Sequence, residues 1–396
     1  MRPSFFNTGR LFFVIALIII LTVISFLKYG NSQSPLQESK IKSRGVWITC
    51  FSEHRVLYST AAVDELINTC RRMKINEIYL QVYRAGYAYY DSKIADRSKY
   101  EDMIKTAGAD MIEYLLKESA KHKIKVFAWA NILSLSQNKD TDIVKKYGES
   151  VLTRDQYSRI SIRTENIDDN DKYYLRENQI FLEPGDFRVA DFTVSILEEI
   201  TARYPKLSGI HLDYIRYPYP VPYSPSSKFI NYGLIYGYGE NSVNSFKEKT
   251  GLDPFSLAGT KDGFSLWDNW RRDQVTNLVR KISSHLKAKS PGLLISAAVI
   301  PAPFTAYSVS FQDWPLWLEE GIVDDVILMN YTKDLGQVKN ITKSALSHRG
   351  KGRVLAGVGV FLMKDKPHLF AQQLNLLESL NSDGIVFLSY DDLGKM

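Results

Sequence analysis

The sequence predicts an α/β fold, a TIM-type (β/α)8 barrel. Three observations carry that reading. From Arg44 onward, short apolar and β-branched runs alternate with longer stretches of helical period. The short runs are hydrophobic almost throughout, as strands are when a parallel sheet buries both their faces. There are eight of them, the number that closes such a barrel. A doubly wound open sheet is the alternative, but it places a glycine-rich phosphate turn after its first strand, where Thr49-Cys50-Phe51-Ser52 stands here.

In chain order, the first element is an N-terminal transmembrane helix. Leu11–Leu27 is apolar apart from Thr22 and Ser25, and at about 1.5 Å per residue it is just long enough to cross a hydrocarbon layer of about 30 Å. Arg2 and Arg10 precede it and a single cation, Lys28, follows closely, so the remainder of the chain is expected outside the cytoplasm of a single-pass cell-membrane protein. A cleaved signal peptide followed by secretion is the rival, but Lys28-Tyr29-Gly30 offers no small-x-small cleavage site. Residues 1–30 are thus read as a cytoplasmic stub with its anchor (or uncleaved signal), residues 31–43 as a polar tether, and residues 44–396 as the barrel.

The expected strands are 45–49, 77–82, 125–131, 209–213, 293–299, 325–330, 353–358 and 384–389. Helical period fills the intervals at 61–73, 110–122, 187–204, 267–289, 314–320, 338–348 and 368–380. An eighth helix of ordinary length is not expected. Two connections are too long for simple turns, 132–186 and 214–266. Both leave the C-terminal end of a strand, the face on which barrels carry their sites. Asp324 and Asp325 precede their strand and belong at the opposite, stabilising end.

Composition narrows the function. Hydrophobic residues make up 45% and charged residues 24%, which excludes collagen, coiled-coil and mainly disordered chains. A net charge of +6 without a clustered basic stripe argues against a nucleic-acid partner. Two cysteines, Cys50 and Cys70, are too few for a disulfide framework or a four-cysteine metal site, and are expected as buried free thiols. No two-histidine-plus-carboxylate pattern appears, so neither a catalytic metal nor a cofactor is expected.

The strand ends hold the candidate chemistry. In Ile210-His211-Leu212-Asp213, alternation puts His211 and Asp213 on one side of the sheet, an acid at the barrel mouth with a histidine one layer below and Arg216 close by. A carboxylate there is costly unless it is paired, so either a functional acid or a structural Asp213–Arg216 ion pair is expected. Other strand ends supply Trp47, Gln81 and Arg84, Trp129 and Asn131, Asn330 and Tyr331, and Tyr390 and Asp391. Singly, each of these could be a packed or capping residue; their recurrence at one end of the barrel makes them, with His211, Tyr214 and Arg216, candidate substrate contacts. The connection after strand four interleaves Tyr214, Tyr217, Tyr219, Tyr223, Tyr232, Tyr236 and Tyr238 with prolines, a combination of stacking faces and hydroxyls suited to sugar rings.

The blocks RGVWIT (44–49), NEIYLQVYRAGYAYYDS (76–92), FAWANIL (127–133), FLEPGDFRVADF (181–192), GIHLDYIRYP (209–218), DNWRRDQVTNLV (268–279), WLEEGIVDDVILMNYT (317–332) and GIVFLSY (384–390) resemble, in order, the glycosyl hydrolase-like 10 family of envelope proteins. GIHLDYIRYP and Trp270-Arg271-Arg272 are the most specific. The resemblance implies a TIM-barrel glycan hydrolase acting on peptidoglycan or another cell-wall or surface polysaccharide, with Asp213 at the family's acidic position. The chain departs from the family where an arginine and an acidic residue often flank the glycine of the second block; here Tyr83 and Tyr87 stand.

Glycosidic hydrolysis generally takes two carboxyl groups. Asp213 is the first. For the second, Asp391 ranks ahead of Glu183, Asp186 and Glu53, because a strand end holds a side chain more rigidly than a loop. A glycan-binding, wall-docking barrel without catalysis is the alternative from a different class. A phosphate-binding metabolic barrel is a weaker one, resting only on Gly357-Val358-Gly359.

Overall fold

The apolar runs form eight parallel strands: β1 (Ser43–Ile48), β2 (Glu77–Arg84), β3 (Lys125–Asn131), β4 (Gly209–Asp213), β5 (Leu294–Val299), β6 (Asp325–Leu328), β7 (Arg353–Gly359) and β8 (Gly384–Leu388). Each pairs with its neighbour in sequence, and β1 pairs with both β8 and β2, so the sheet closes on itself. The computed structural model describes residues 43–162, 178–219, 235–259 and 261–394. The proposed anchor and the proposed tether as far as residue 42, with Tyr223 and Tyr232, lie outside these residues; Ser43, expected as the tether's last residue, is the first of β1. Among the described residues no helix is long and apolar enough to cross a membrane.

The pleat explains why the strands read as continuous hydrophobic runs. Alternate residues turn inward, where Trp47, Tyr79, Phe127, Trp129, Ile327, Leu355 and Val386 pack as the barrel's interior layer. Their neighbours Val46, Ile48, Ile78, Leu80, Val126 and Ala128 turn outward into the much larger core beneath the helices. Gly209 shows how tight the closure is: a Cβ there would sit 2.6 Å from the Phe127 ring and against the carbonyl of Leu294.

Seven helices follow the strands: α1 (Thr60–Arg72), α2 (Met111–Lys121), α3 (Phe187–Arg203), α4 (Lys261–Lys289), α5 (Trp314–Glu320), α6 (Leu335–Leu346) and α7 (Pro367–Ser379). Ser59, Asp110, Asp186 and Asp334 cap α1, α2, α3 and α6 by accepting hydrogen bonds from first-turn N–H groups. After β8 comes a four-residue helix, Tyr390–Leu393, closed by a capping box from Ser389 and Asp392.

A helix at Ser98–Ala107 lies between β2 and α2, and a helix at Glu240–Thr250 and a small antiparallel pair between Ser134–Ser136 and Ile180–Phe181 fill out the two long connections. The sequence pattern did not separate these from loop.

The N-terminal end of the barrel is closed by charge. Arg353 holds Asp325 through two hydrogen bonds of 2.7 and 2.6 Å and reaches Glu77 at 3.3 Å, while the Tyr79 hydroxyl donates to Glu77 at 2.8 Å. Asp324 accepts from the Ile295 amide and pairs with Lys287. Asp324, just before β6, and Asp325, its first residue, therefore both serve the stabilising end.

Candidate active site

The barrel mouth opens into a cavity of about 450 Å³. Asp213, the last residue of β4, lies in its wall, and both of its oxygens are engaged. The Trp129 indole N–H donates to Oδ2 at 3.1 Å, and the Tyr214 amide donates to Oδ1 at 2.7 Å. Tyr214 itself takes a positive φ of 52°, a left-handed backbone uncommon for a residue that carries a side chain. Two N–H donors on one carboxyl group suit its anionic form.

Below Asp213 runs a buried polar chain. Trp47 carries only a donor, so its Nε1–H must bond the bare Nε2 of His211, 3.0 Å away. The ring proton then sits on Nδ1, which donates to Ser296 Oγ at 3.0 Å, and that hydroxyl passes its own proton to the Ile210 carbonyl. His211 is completely buried among Trp47, Tyr79 and Trp129. Burial pulls its pKa down to about 3, so it is a neutral imidazole that orients Trp47. It lies one layer beneath the cavity, as alternation predicted, and although it was a candidate substrate contact it is not one of the lining residues.

A second chain links neighbouring strand ends. Gln81 donates to Asn131 Oδ1 at 3.0 Å and accepts from the Cys50 amide at 3.3 Å. Gln81 and Asn131 both face the cavity, and Asn131 is paired in register with Asp213. Cys50 and Cys70 are both buried free thiols. Burial raises the pKa of each, that of Cys70 to about 12.

β2 reaches the cavity through a bulge. Gln81 is in register with Trp129, but Tyr83 rather than Val82 is in register with Ala130. The inserted residue reverses the alternation. Tyr83 turns outward into the core under the helices, and Arg84 turns into the cavity wall. The two tyrosines at the family's arginine and acidic positions are thereby accounted for as cavity residues by neither route: Tyr83 is buried, and Tyr87 pairs with Arg84 in a two-residue strand and lies under Lys99. The guanidinium that does face the cavity is one residue further along.

Of the remaining sequence candidates, Trp47, Trp129, Tyr214, Arg216 and Tyr331 line the cavity. Arg216 donates to the Tyr217 carbonyl at 2.9 Å and is packed against the rings of Tyr219, Tyr214 and Phe181. Tyr331 is kept a protonated phenol, chiefly by burial and then by the charge of Asp213. Asn330 is buried and is not a lining residue. Tyr390 and Asp391 belong to the short helix after β8. Tyr390 packs on His54, and Asp391 accepts a short hydrogen bond from Ser52 Oγ, next to the lining residue Phe51.

The other carboxylates have structural partners. Glu183 is fully buried and accepts from the Tyr217 hydroxyl at 2.9 Å and from the amides of Gly185 and Gly239, with burial raising its pKa. Asp186 caps α3 and pairs with Arg188. Among the described lining residues, Asp213 is the single carboxylate.

Sequence reasoning did not single out Phe51, Ala298, Ile300, Met329 or Leu388, which complete the wall. They are ordinary apolar residues at or just past strand ends, and only position distinguishes them. Of the loop tyrosines, Tyr214 and Tyr219 face the cavity, whereas Tyr217, Tyr236 and Tyr238 are buried in packing. The Trp270-Arg271-Arg272 block holds that loop from α4: Arg271 donates to the Tyr236 carbonyl and pairs with Asp268, and Arg272 lies 3.4 Å over the Tyr307 ring. Among the described residues no group of three His, Cys, Asp or Glu side chains is placed to hold a metal ion.

The fold is shared with known glycosidases. The catalytic domain of a β-amylase from Paenibacillus polymyxa superposes with a TM-score of 0.53 at 13% identity, covering 88% of this chain and 94% of that one. A β-galactosidase from Halorubrum lacusprofundi gives 0.54 at 10% identity, covering 88% and 52%. At these identities the likeness shows the fold alone.

Sequence relatives include the glycosyl hydrolase YngK of Bacillus subtilis (strain 168), 26% identical over 79% of this chain and 57% of its own length. Another is the glycosyl hydrolase DigH of Escherichia coli (strain K12), 23% identical over 73% of this chain and 65% of its own. The chain spans less than two thirds of either relative. Residues 42–361 match the model of one family across most of the barrel, and the chain belongs to that family, glycosyl hydrolase-like 10.

Proposed function

We propose that this protein hydrolyses glycosidic bonds in a cell-wall or surface polysaccharide outside the cytoplasm, tethered there by residues 11–27. The observation that carries the reading is Asp213, held by Trp129 and the Tyr214 amide in the wall of an aromatic-lined cavity at the C-terminal mouth of the barrel. A carboxylate held anionic in this way acts as base or nucleophile, with Trp47, Trp129 and Tyr331 offering ring faces to the sugar. Asp391 is the proposed proton donor. Its bond to Ser52 ties it to the loop that carries Phe51.

The test is release of new reducing ends when the purified protein is incubated with peptidoglycan and a panel of surface polysaccharides. Asp213→Asn and Asp391→Asn serve as controls, and release that both variants abolish supports the assignment. A second reading, a glycan-docking barrel without catalysis, is favoured by one observation: Asp213 stands as the single carboxylate among the described lining residues. Binding with no release of sugar across the panel would establish that reading in place of the first.

A further inference from the structure

Among the described lining residues of the cavity, two guanidinium groups stand with one carboxylate. Asp213 faces two guanidinium groups, those of Arg84 and Arg216. The oxygens of Asp213 already accept from Trp129 and Tyr214, and Arg216 is held by the Tyr217 carbonyl within its aromatic packing. Arg84 is different. Among the described residues its side chain makes no ion pair and no hydrogen bond, and its guanidinium lies 5.0 Å from the centroid of the Phe51 ring.

Its position is built. The bulge in β2 is what turns Arg84 inward while turning Tyr83 away. Stacking on an aromatic ring leaves the edge of a guanidinium, with its fork of N–H donors, free to take a planar anion. Phe51, 63% exposed and itself in the cavity wall, provides that ring.

We propose that Arg84 is a specificity residue for a carboxylate carried by the glycan, so that the sugar bound beside Asp213 is an acidic one. This rests on the glycan-binding reading of the cavity and names the class of substrate it takes. A neutral sugar could use its hydroxyls on the same fork, but would leave the charge of Arg84 uncompensated. A bound carboxylate compensates it.

The test measures binding of the full-length protein to matched pairs of oligosaccharides, each acidic member (uronate-containing and lactyl-ether-containing pairs) set against its carboxyl-reduced counterpart. Wild type, Arg84→Gln and Arg84→Lys are compared. The expected result is at least about tenfold tighter binding of the acidic member in one or more pairs, the size of effect a charge-assisted hydrogen bond gives. Arg84→Gln should weaken the acidic member far more than the neutral one and so erase the preference, and Arg84→Lys should restore only part of it, since a lysine keeps the charge and loses the fork.

Equal binding within every pair, retention of none of them, or an Arg84→Gln variant that weakens both members alike would overturn the proposal. Reducing-end release is read separately. An acid preference without cleavage would sink the hydrolase and keep the specificity residue, whereas cleavage of neutral and acidic members alike would do the reverse.

Discussion

Asp213 is a side chain whose replacement separates chemistry from shape. Asp213→Asn retains an oxygen to accept from Trp129 or the Tyr214 amide, so the wall of the cavity keeps its form. It removes the negative charge. If the carboxylate is the base or nucleophile, turnover should fall by at least about a hundredfold while glycan binding persists, as measured by reducing-end assay and by titration side by side. Loss of folding together with binding would mark Asp213 as a structural acceptor for Trp129. A variant as active as the wild type would remove it from the mechanism. Trp47 makes a complementary case. Trp47→Phe keeps a ring facing the sugar but strands the Nε2 acceptor of His211 in a fully buried site. The cost should be about 1–3 kcal/mol in denaturant unfolding, the range for an orphaned buried polar group.

At the level of strands and helices, much was legible because the strand signal and the burial that produces it are the same thing. A parallel strand covered on both faces has to be hydrophobic throughout, so β3 and β4 fall at the residues the pattern predicts, and the other strands end within a few residues of it. Alternation also placed His211 one layer below Asp213. What alternation could not show is the place where it breaks. A strict period of two puts Gln81 and Tyr83 on one face; the bulge after Gln81 exchanges Tyr83 for Arg84, and nothing in Gln81-Val82-Tyr83-Arg84 announces an extra residue. The helices at Ser98–Ala107 and Glu240–Thr250 were illegible for a related reason. They bury few apolar residues, Met103 in the first and Val243 and Phe246 in the second, and so show only a thin apolar stripe. Gly209 offers a direct check on strand packing. Gly209→Ala would drive its methyl group toward the Phe127 ring and the Leu294 carbonyl, and should lower stability by about 1–3 kcal/mol, read from the denaturant midpoint. A midpoint equal to that of the wild type would mean that β4 and β5 can separate enough to admit a methyl group.

Across the whole molecule, the two ends of the barrel use ionisable groups in opposite ways, and this shows in the dependence of stability on pH. At the N-terminal end, Arg353 neutralises Asp325 and Glu77 by pairing. Near the mouth, His211 is kept uncharged by burial alone, with its pKa pulled down to about 3 from an ordinary value of 6.5. The unfolded chain takes up a proton at His211 below about pH 6.5, and the folded protein refuses it until about pH 3. The contribution of the neutral imidazole is therefore complete above pH 6.5 and is lost progressively as the pH falls toward 3, by at most about 1.4 kcal/mol per unit. Many carboxylates titrate in the same interval, so the wild-type curve by itself cannot isolate this histidine. His211→Gln can. The amide oxygen accepts from Trp47 and the amide N–H₂ donates to Ser296, which preserves the chain of hydrogen bonds without a titrating group. The stability gap between wild type and variant should narrow by about 2 kcal/mol between pH 6.5 and pH 4.5, measured by denaturant unfolding at each pH, because only the wild type carries the histidine penalty. A gap that stays constant across that interval would mean that the folded protein admits the proton after all, and with it a charged imidazolium beneath Asp213 rather than a neutral support for Trp47.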